Sequence, residues 1–266
     1  MKRLLLSTLA LLALCLLPNA LRLTKTAAQT QPSGGAQDVE RVLASFRAKE
    51  AEFRRALVAY GFKRDAVIQS IGMGGQVTGE YHRVSYLTFD AQGNQREKVI
   101  TFPIPSLPLE PADLEDLNTI EIYAVEAGKV DRYNFTYVGR EHVDEIDTYV
   151  FDVAPKVMPD PKKSKERFFQ GRVWIDDHDM QLVKAKGKGV PEGKQRFPTF
   201  ENYREQMDNG LWFPSMTYAD DKLVMASGQV IRLRMRIRFT DYEKPPPPEM
   251  IPNADMVNSP PTKKKQ

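Results

Sequence analysis

The stretch VIRLRMRIRFTDY, residues 230 to 242, alternates apolar and basic side chains one by one. Successive side chains of an extended strand point to opposite faces, so this period of two separates an apolar row from a row of four arginines. A helix would spread the arginines around its whole circumference. The pattern predicts a long strand whose apolar row faces a core. The apolar row consists of Ile231, Leu233, Met235, Ile237 and Phe239.

Ten further segments show alternation or β-branched and aromatic residues between turn signals, which predicts about eleven strands in total. Most of the connections are short, so the predicted fold is α+β, mainly β, with an antiparallel meander. A short helical turn is predicted at 111–118. The ten segments are 66–72, 77–90, 95–103, 119–126, 131–139, 147–154, 167–176, 180–189, 200–208 and 211–221.

One amphipathic helix is predicted near the start of the folded segment, from Asp38 as a cap to Gly61 as a terminator. Apolar residues recur at helical spacing along it, which predicts one buried stripe and one charged, solvated face. The stripe contains Val39, Val42, Leu43, Phe46, Phe53, Leu57 and Tyr60.

Asn209 and Gly210 predict a two-residue hairpin turn of type I′ between the segments 200–208 and 211–221. The resulting register puts Asp208 opposite Leu211, and it gathers the apolar pairs on one face and the polar pairs on the other. The predicted apolar pairs are Met207 with Trp212, Tyr203 with Met216 and Glu201 with Tyr218, and the polar pairs are Arg204 with Ser215 and Asn202 with Thr217.

The final strand fits this hairpin in two ways. Burial favours an arrangement in which its aliphatic row joins Trp212 and Met216 while its arginines join the polar face with Arg204. The opposite arrangement would set the arginines against Glu201 and Glu205.

The two ends of the chain differ from the folded segment. Lys2 and Arg3 precede an apolar run at 4–17 that is typical of a secretory signal, so residues 1–28 are predicted to be a signal peptide, with an uncleaved anchor as the alternative. Residues 29–37 are a predicted linker and 38–243 the folded domain. Residues 244–266, rich in proline and ending in three lysines, are a predicted disordered tail.

Removal of the predicted signal peptide changes the net charge and the cysteine content of the chain. The whole chain carries +3, but residues 1–28 contain four basic residues and no acidic one, so the mature chain carries about −1. This balance argues against nucleic-acid binding. Cys15, the single cysteine, lies in the signal segment, which removes disulfides and thiolate catalysis from the mature protein.

No motif in the sequence predicts a catalytic centre, a cofactor or a metal site. The glycine-rich stretch 72–79 precedes a strand rather than a helix, which indicates a strand connection and not a phosphate loop. The acidic stretch 176–179, DDHD, fits a solvated hairpin tip better than a metal site. His82, His142 and His178 stand outside the usual catalytic motifs.

Residues 149–242, with the segments RFFQGRVWIDDHDMQLVKAKGKGVPE and FENYREQMDNGLWFPSMTYADD and the long final strand, resemble the LolA-like outer-membrane lipoprotein-sorting proteins. The resemblance implies a strongly curved sheet that forms an incomplete barrel. It also implies that the concave side holds acyl chains or another apolar ligand, with the helix as a lid.

The sequence thus predicts an exported periplasmic or envelope protein that binds a hydrophobic ligand or lipoprotein acyl chains, without enzymatic activity. A carboxylate-dependent hydrolase using Glu141 to Asp152 and an envelope scaffold are the alternatives, and the tail is a candidate contact for an envelope protein or lipid headgroups. The predicted ligand-binding residues are Trp212, Met216, Tyr203, Met207, Leu233, Met235, Ile237, Phe239, Phe46 and Phe53.

Overall fold

The computed structural model describes residues 36–107, 109, 124–164, 166–192, 198–225 and 227–244, and these form one long helix, one 3₁₀ helix and ten strands. The elements are α1 (Ala36–Leu57), β1 (Gly61–Ile71), β2 (Val77–Phe89), β3 (Gln95–Thr101), the 3₁₀ helix (Ala127–Arg132), β4 (Tyr133–Val143), β5 (Ile146–Pro155), β6 (Phe168–Asp176), β7 (Leu182–Val190), β8 (Phe200–Gln206), β9 (Trp212–Val224) and β10 (Val230–Glu243).

All ten strands lie in one antiparallel sheet, in the order β3-β2-β1-β10-β9-β8-β7-β6-β5-β4. The described strands do not close into a barrel, because β3 and β4 remain at the two edges of the sheet. The mainly β, antiparallel fold is therefore confirmed. The predicted strand at 119–126 lies outside the described residues except for 124–126, which bend, and the helical turn predicted at 111–118 lies outside them entirely.

Helix α1 begins at Ala36 and ends at Leu57, four residues before the predicted terminator Gly61. Asp38 lies in the first helical turn rather than before it, where its charge still complements the helix dipole. Gly61 instead opens β1, opposite Glu243 on β10. The prediction that Gly61 ends the helix was wrong, because this glycine is already the first paired residue of β1.

The turn between β8 and β9 holds three residues instead of the predicted two. The N–H of Met207 donates to the carbonyl of Leu211 at 2.7 Å, and the N–H of Gly210 donates to the carbonyl of Met207 at 2.8 Å. Gly210 has a φ of 78°, the left-handed conformation that glycine supplies in such loops. Pairing starts with Gln206 opposite Trp212, so the predicted pairs of Met207 with Trp212 and of Asp208 with Leu211 were wrong.

A β-bulge then restores the predicted register. Arg204 lies opposite Pro214, while its neighbour Tyr203 lies opposite Met216, so Ser215 is the extra residue and the predicted pair of Arg204 with Ser215 was wrong. Proline lacks the N–H that a regular ladder needs, and bulges are where strands tolerate it. The pairs beyond the bulge are confirmed: Tyr203 with Met216, Asn202 with Thr217 and Glu201 with Tyr218.

The sheet curves around α1. On the helix, Arg54 lies 5.4 Å from the ring of Phe89 on β2, and Phe46 lies 5.9 Å from the ring of Phe135 on β4. Strands β2 and β4 are eight steps apart in the sheet, which would separate them by about 38 Å if the sheet were flat. Phe46 and Arg54 are only about 12 Å apart along the helix axis. Both ends of the sheet therefore bend towards the helix, as the resemblance implied.

Candidate functional site: the inner face of the sheet and its helix

The inner face of the sheet, defined as the face that contacts α1, carries the apolar row of the final strand. Four predicted ligand-binding residues of β10 are buried there, and two more lie on the buried stripe of α1. The arginines of β10 are exposed on the opposite, outer face. The predicted division of β10 into a core row and a solvent row is confirmed. The six core residues are Leu233, Met235, Ile237, Phe239, Phe46 and Phe53.

The predicted arrangement of β10 against the hairpin was wrong. Met235 lies opposite Ala219 and Ile237 opposite Thr217, so the aliphatic row joins the face that was predicted to be polar. Arg238 lies opposite Met216, on the outer face. The structure therefore realises the opposite arrangement, which puts the arginines on the face of Glu201.

Three predicted ligand-binding residues consequently lie away from the inner face. Trp212, Met216 and Tyr203 line an open trough of about 800 Å³ on the outer face. Met207, beside the hairpin turn, is partly buried and packs against the core. The sequence suggested an inward position for all four because they are large and apolar, but the smaller and more polar side of this hairpin is the one that the sheet buries.

Burial of that polar side is tolerated because its polar groups find partners. Thr217 donates a hydrogen bond to the side-chain oxygen of Asn202 at 2.8 Å, and both residues are buried. Buried polar groups are costly only when they lack such partners.

A second buried contact of this side joins the helix to the sheet. Arg204 on β8 donates two hydrogen bonds to Glu50 on α1, at 2.7 and 3.1 Å, and the two side chains are only 4% and 1% exposed. The guanidinium also lies 3.7 Å above the ring of Phe53. This buried ion pair, Glu50 with Arg204, was missed from the sequence. The signal was present, since Glu50 falls between Phe46 and Phe53 on the apolar stripe of a helix, where an acid requires a buried partner.

Aromatic rings of the protein itself occupy the space between α1 and the sheet. Phe53 contacts Phe213 of β9 edge to face, with ring centres 6.4 Å apart, and the ring of Tyr242 lies 4.8 Å from that of Phe213. Phe62 stacks on Tyr242 at 4.9 Å. A ligand that enters between the helix and the sheet must therefore displace rings or move α1.

A second open trough, of about 660 Å³, lies on the outer face across β4 to β7. Several of its side chains are hydrogen-bonded to one another. Arg172 donates to both carboxylate oxygens of Asp152, at 2.8 and 3.2 Å, and the indole of Trp174 donates to Glu141 at 2.8 Å. These four side chains of the trough are thus already hydrogen-bonded within the protein.

The acidic turn after β6 brings Asp176, His178 and Asp179 within 4.8 Å of one another. Asp176 accepts hydrogen bonds from the backbone N–H groups of the two other residues. A hydrogen bond from His178 lowers the pKa of the Asp179 carboxyl, and the same contact raises the pKa of His178. Asp179 also accepts from the indole of Trp212 at 3.2 Å. The turn is held by its own hydrogen bonds, as expected of a hairpin tip.

The acidic segment proposed for the hydrolase alternative includes the turn between β4 and β5. Asp144 and Glu145 are exposed there, and Asp144 has a φ of 53°. Asp147 pairs with His142 at 2.9 Å, and both side chains are exposed. The glycine-rich stretch 72–79 connects β1 to β2 through a turn between Gly72 and Gln76, so the predicted strand connection is confirmed.

Neither of the described helices has the length and apolar character that crossing a bilayer requires.

Comparison with known proteins gives matches only among solved structures. No protein-family model matches the sequence, and no curated protein does so. The structure is similar to a DUF1329 family protein from Desulfovibrio piger, with a TM-score of 0.40 and 15% identity over 76% of this chain and 92% of that one. It is also similar to a LolA superfamily protein from Nitrosomonas europaea, with a TM-score of 0.37 and 15% identity over 80% and 98%.

A third similar structure is an outer membrane lipoprotein-sorting protein domain from Vibrio parahaemolyticus, with a TM-score of 0.36 and 12% identity over 82% of this chain and 97% of that one.

Proposed function

We propose that this chain is an exported envelope protein that binds lipid, acyl chains or another hydrophobic ligand between α1 and the inner face of the sheet. The observation that carries the proposal is the inner face itself. It is apolar from β2 across to β4 and curves around α1. In this proposal the ligand touches Leu233, Met235, Ile237 and Phe239 on β10, and lipoprotein sorting or lipid transfer is the role that such binding would serve.

The packing between helix and sheet suits exchange of one apolar partner for another. Phe46 and Phe53 contact the sheet through rings, whose burial is favourable but non-directional. An acyl chain can replace those contacts, gaining about 0.8 kcal/mol for each buried CH₂. A sixteen-carbon chain would gain on the order of 10 kcal/mol before the costs of association and of moving the helix.

The buried ion pair defines the position from which α1 moves. Arg204 and Glu50 fix one position of α1 on the sheet, because their hydrogen bonds require close geometry. In the proposed mechanism α1 leaves this position, the pair breaks and the inner face opens to the ligand.

Export is part of the proposal and is supported by the sequence. Two basic residues and the apolar run at 4–17 are followed by small residues near 26–28, the arrangement of a cleaved secretory signal.

Native mass spectrometry of the purified chain tests the proposal, before and after incubation with palmitoyl lysophosphatidylglycerol. We expect a one-to-one lipid complex. The double variant Glu50→Gln with Arg204→Gln should take up the lipid faster, since α1 is held less firmly. The double variant Asp152→Asn with Arg172→Gln removes an outer-face ion pair and is the matched control, with the uptake rate of the unmodified chain.

A folded, unmodified chain that neither retains nor takes up lipid would overturn the proposal, whatever the variants do. Circular dichroism and a cooperative thermal transition would establish that the chain is folded in the same sample.

A further inference from the structure

The outer face of β10 presents a regular row of four exposed arginines. They alternate with the buried aliphatic row, so neighbouring guanidinium groups leave the strand about 6.8 Å apart. Strand β10 lies inside the sheet, between β1 and β9, so the row stands on a broad surface rather than on an edge. The four are Arg232, Arg234, Arg236 and Arg238.

Two of these four arginines have no acidic partner among the residues that the structure describes. Arg232 and Arg234 both contact Asp220, at 3.2 and 3.4 Å. Among the described residues, no carboxylate lies within 4.0 Å of Arg236 or Arg238. The positive charge therefore accumulates towards one end of the strand.

The lysines of β7 show how the same sheet neutralises a basic row elsewhere. Lys184 and Lys186 contact Glu201 at 3.0 and 2.8 Å, and Lys188 contacts Glu192 at 2.7 Å. Pairing of opposite charges across or along strands is the usual arrangement on a solvated sheet. Among the described residues, Arg236 and Arg238 depart from this arrangement.

The neighbours of Arg236 and Arg238 are mostly apolar. Val67 on β1 and Tyr218 on β9 lie on either side of Arg236, and Met216 lies beside Arg238. Tyr218 is 37% exposed. Val67, Tyr218 and Arg236 also line a small open hollow of about 230 Å³.

The carboxylate opposite Arg238 on the neighbouring strand contacts a histidine. Asp65 lies opposite Arg238 on β1, but its side chain contacts His82 at 2.9 Å.

We propose that this outer-face patch, formed by Arg234, Arg236, Arg238, Tyr218 and Val67, docks the protein on an anionic lipid bilayer. The guanidinium groups would contact lipid phosphates, which they bind as planar, multiple donors. The exposed tyrosine and its apolar neighbours fit the headgroup region, where amphipathic rings concentrate.

A bilayer fits this patch better than a soluble polyanion does. Both partners offer phosphates to the guanidinium groups, so charge alone does not separate a bilayer from a nucleic acid. Apolar flanks add nothing to such contacts, whereas they contribute to binding at a lipid interface. The docking proposal is independent of whether a ligand occupies the inner face.

Flotation of the purified chain with vesicles of phosphatidylglycerol and phosphatidylcholine tests the proposal. We expect Arg236→Gln with Arg238→Gln to lower the vesicle partition coefficient about 25-fold, since each cationic side chain near an anionic surface contributes about fivefold. The matched control, Arg55→Gln with Lys162→Gln, removes the same charge from exposed residues of α1 and of the segment after β5. All these proteins share the same termini, so a difference between the pairs reports on β10.

Tyr218→Ser distinguishes a lipid headgroup from a free phosphate. This substitution should weaken binding to vesicles but leave the affinity for soluble polyphosphate unchanged. Equal binding to pure phosphatidylcholine vesicles would overturn the proposal, as would an equal loss in the β10 variant and its control. Stronger binding to polyphosphate or nucleic acid than to vesicles would overturn it in favour of a soluble polyanion.

Discussion

Arg204 and Glu50 form a bidentate ion pair between β8 and α1, although 154 residues separate them in the sequence. Both are almost fully excluded from water. A pair of this kind adds little net stability, because the desolvation of two charges opposes their attraction, but it strongly penalises any arrangement that separates them. The pair therefore specifies where α1 sits on the sheet.

Removal of one partner should destabilise the protein more than removal of both. We expect Glu50→Leu or Arg204→Met alone to lower the free energy of unfolding by about 3–5 kcal/mol, because each leaves a buried charge unpaired. Glu50→Leu with Arg204→Met replaces the pair by apolar groups and should be close to the unmodified chain. Urea denaturation of the four proteins measures this coupling.

If the double variant lost as much as the two single variants together, the two residues would act independently and the ion pair would not position α1. The outer-face pair Arg172 and Asp152 provides the comparison, since single substitutions there should cost only about 0–1 kcal/mol.

The period of two in β10 predicted a strand and its buried row correctly, because alternation is a local property of the backbone. The other strand segments that the structure describes, and three of the six predicted pairs of the β8–β9 hairpin, followed from the same reasoning. The turn did not, since Asn209 and Gly210 suit both a two-residue loop and the observed three-residue loop. The bulge at Pro214 then compensated for the difference.

The buried side of the hairpin could not be read from local pattern. Arg204 and Asn202 look like solvent-facing residues until Glu50 and Thr217 are brought to them by the fold. Polarity alone misassigned the face, because the cost of burying a polar group depends on a partner that is distant in sequence. The acid within the apolar stripe of α1 was the available signal.

The hydroxyl of Tyr133 accepts a hydrogen bond from the backbone N–H of Phe169 at 3.0 Å in a buried position. Burial raises the pKa of Tyr133 to about 12. Tyr133→Phe should lower the free energy of unfolding by about 1–3 kcal/mol, because the N–H of Phe169 loses this partner inside the protein. Chemical denaturation measures the change, and an unaltered midpoint would show that the hydrogen bond contributes nothing. Tyr137→Phe, at a partly buried tyrosine of the same strand, is the control.

Gly171 and Gly187 lie opposite each other on β6 and β7. A Cβ at Gly171 would lie directly against the backbone carbonyl oxygen of Lys186, which cannot move without disturbing the ladder. Gly171→Ala should therefore lower the free energy of unfolding by about 1–3 kcal/mol. Gly128→Ala, where a Cβ meets no atom within 4 Å, should change it by less than about 0.5 kcal/mol. Thermal denaturation compares the two, and equal melting temperatures would contradict the close approach of these strands.

Glu201 on the outer face gathers three donors. The ammonium groups of Lys184 and Lys186 lie 3.0 and 2.8 Å from its carboxylate, and the hydroxyl of Tyr203 donates to it at 2.6 Å. Partial burial acts to raise the pKa of Glu201, but the hydrogen bonds from Lys186, Tyr203 and Lys184 together outweigh it and lower the pKa to about 2.

This lowered pKa predicts a loss of stability in acid. The folded protein holds the charged form of Glu201, so its contribution is complete above the ordinary pKa of 4.5 and disappears as the pH falls from there towards 2. Glu201→Gln should be less stable than the unmodified chain at neutral pH and should lose less stability on acidification. Glu145→Gln, in the exposed β4–β5 turn, should follow the unmodified chain. Melting temperatures recorded across this pH range measure the difference, and parallel curves for Glu201→Gln and the unmodified chain would show that the three donors do not favour the carboxylate.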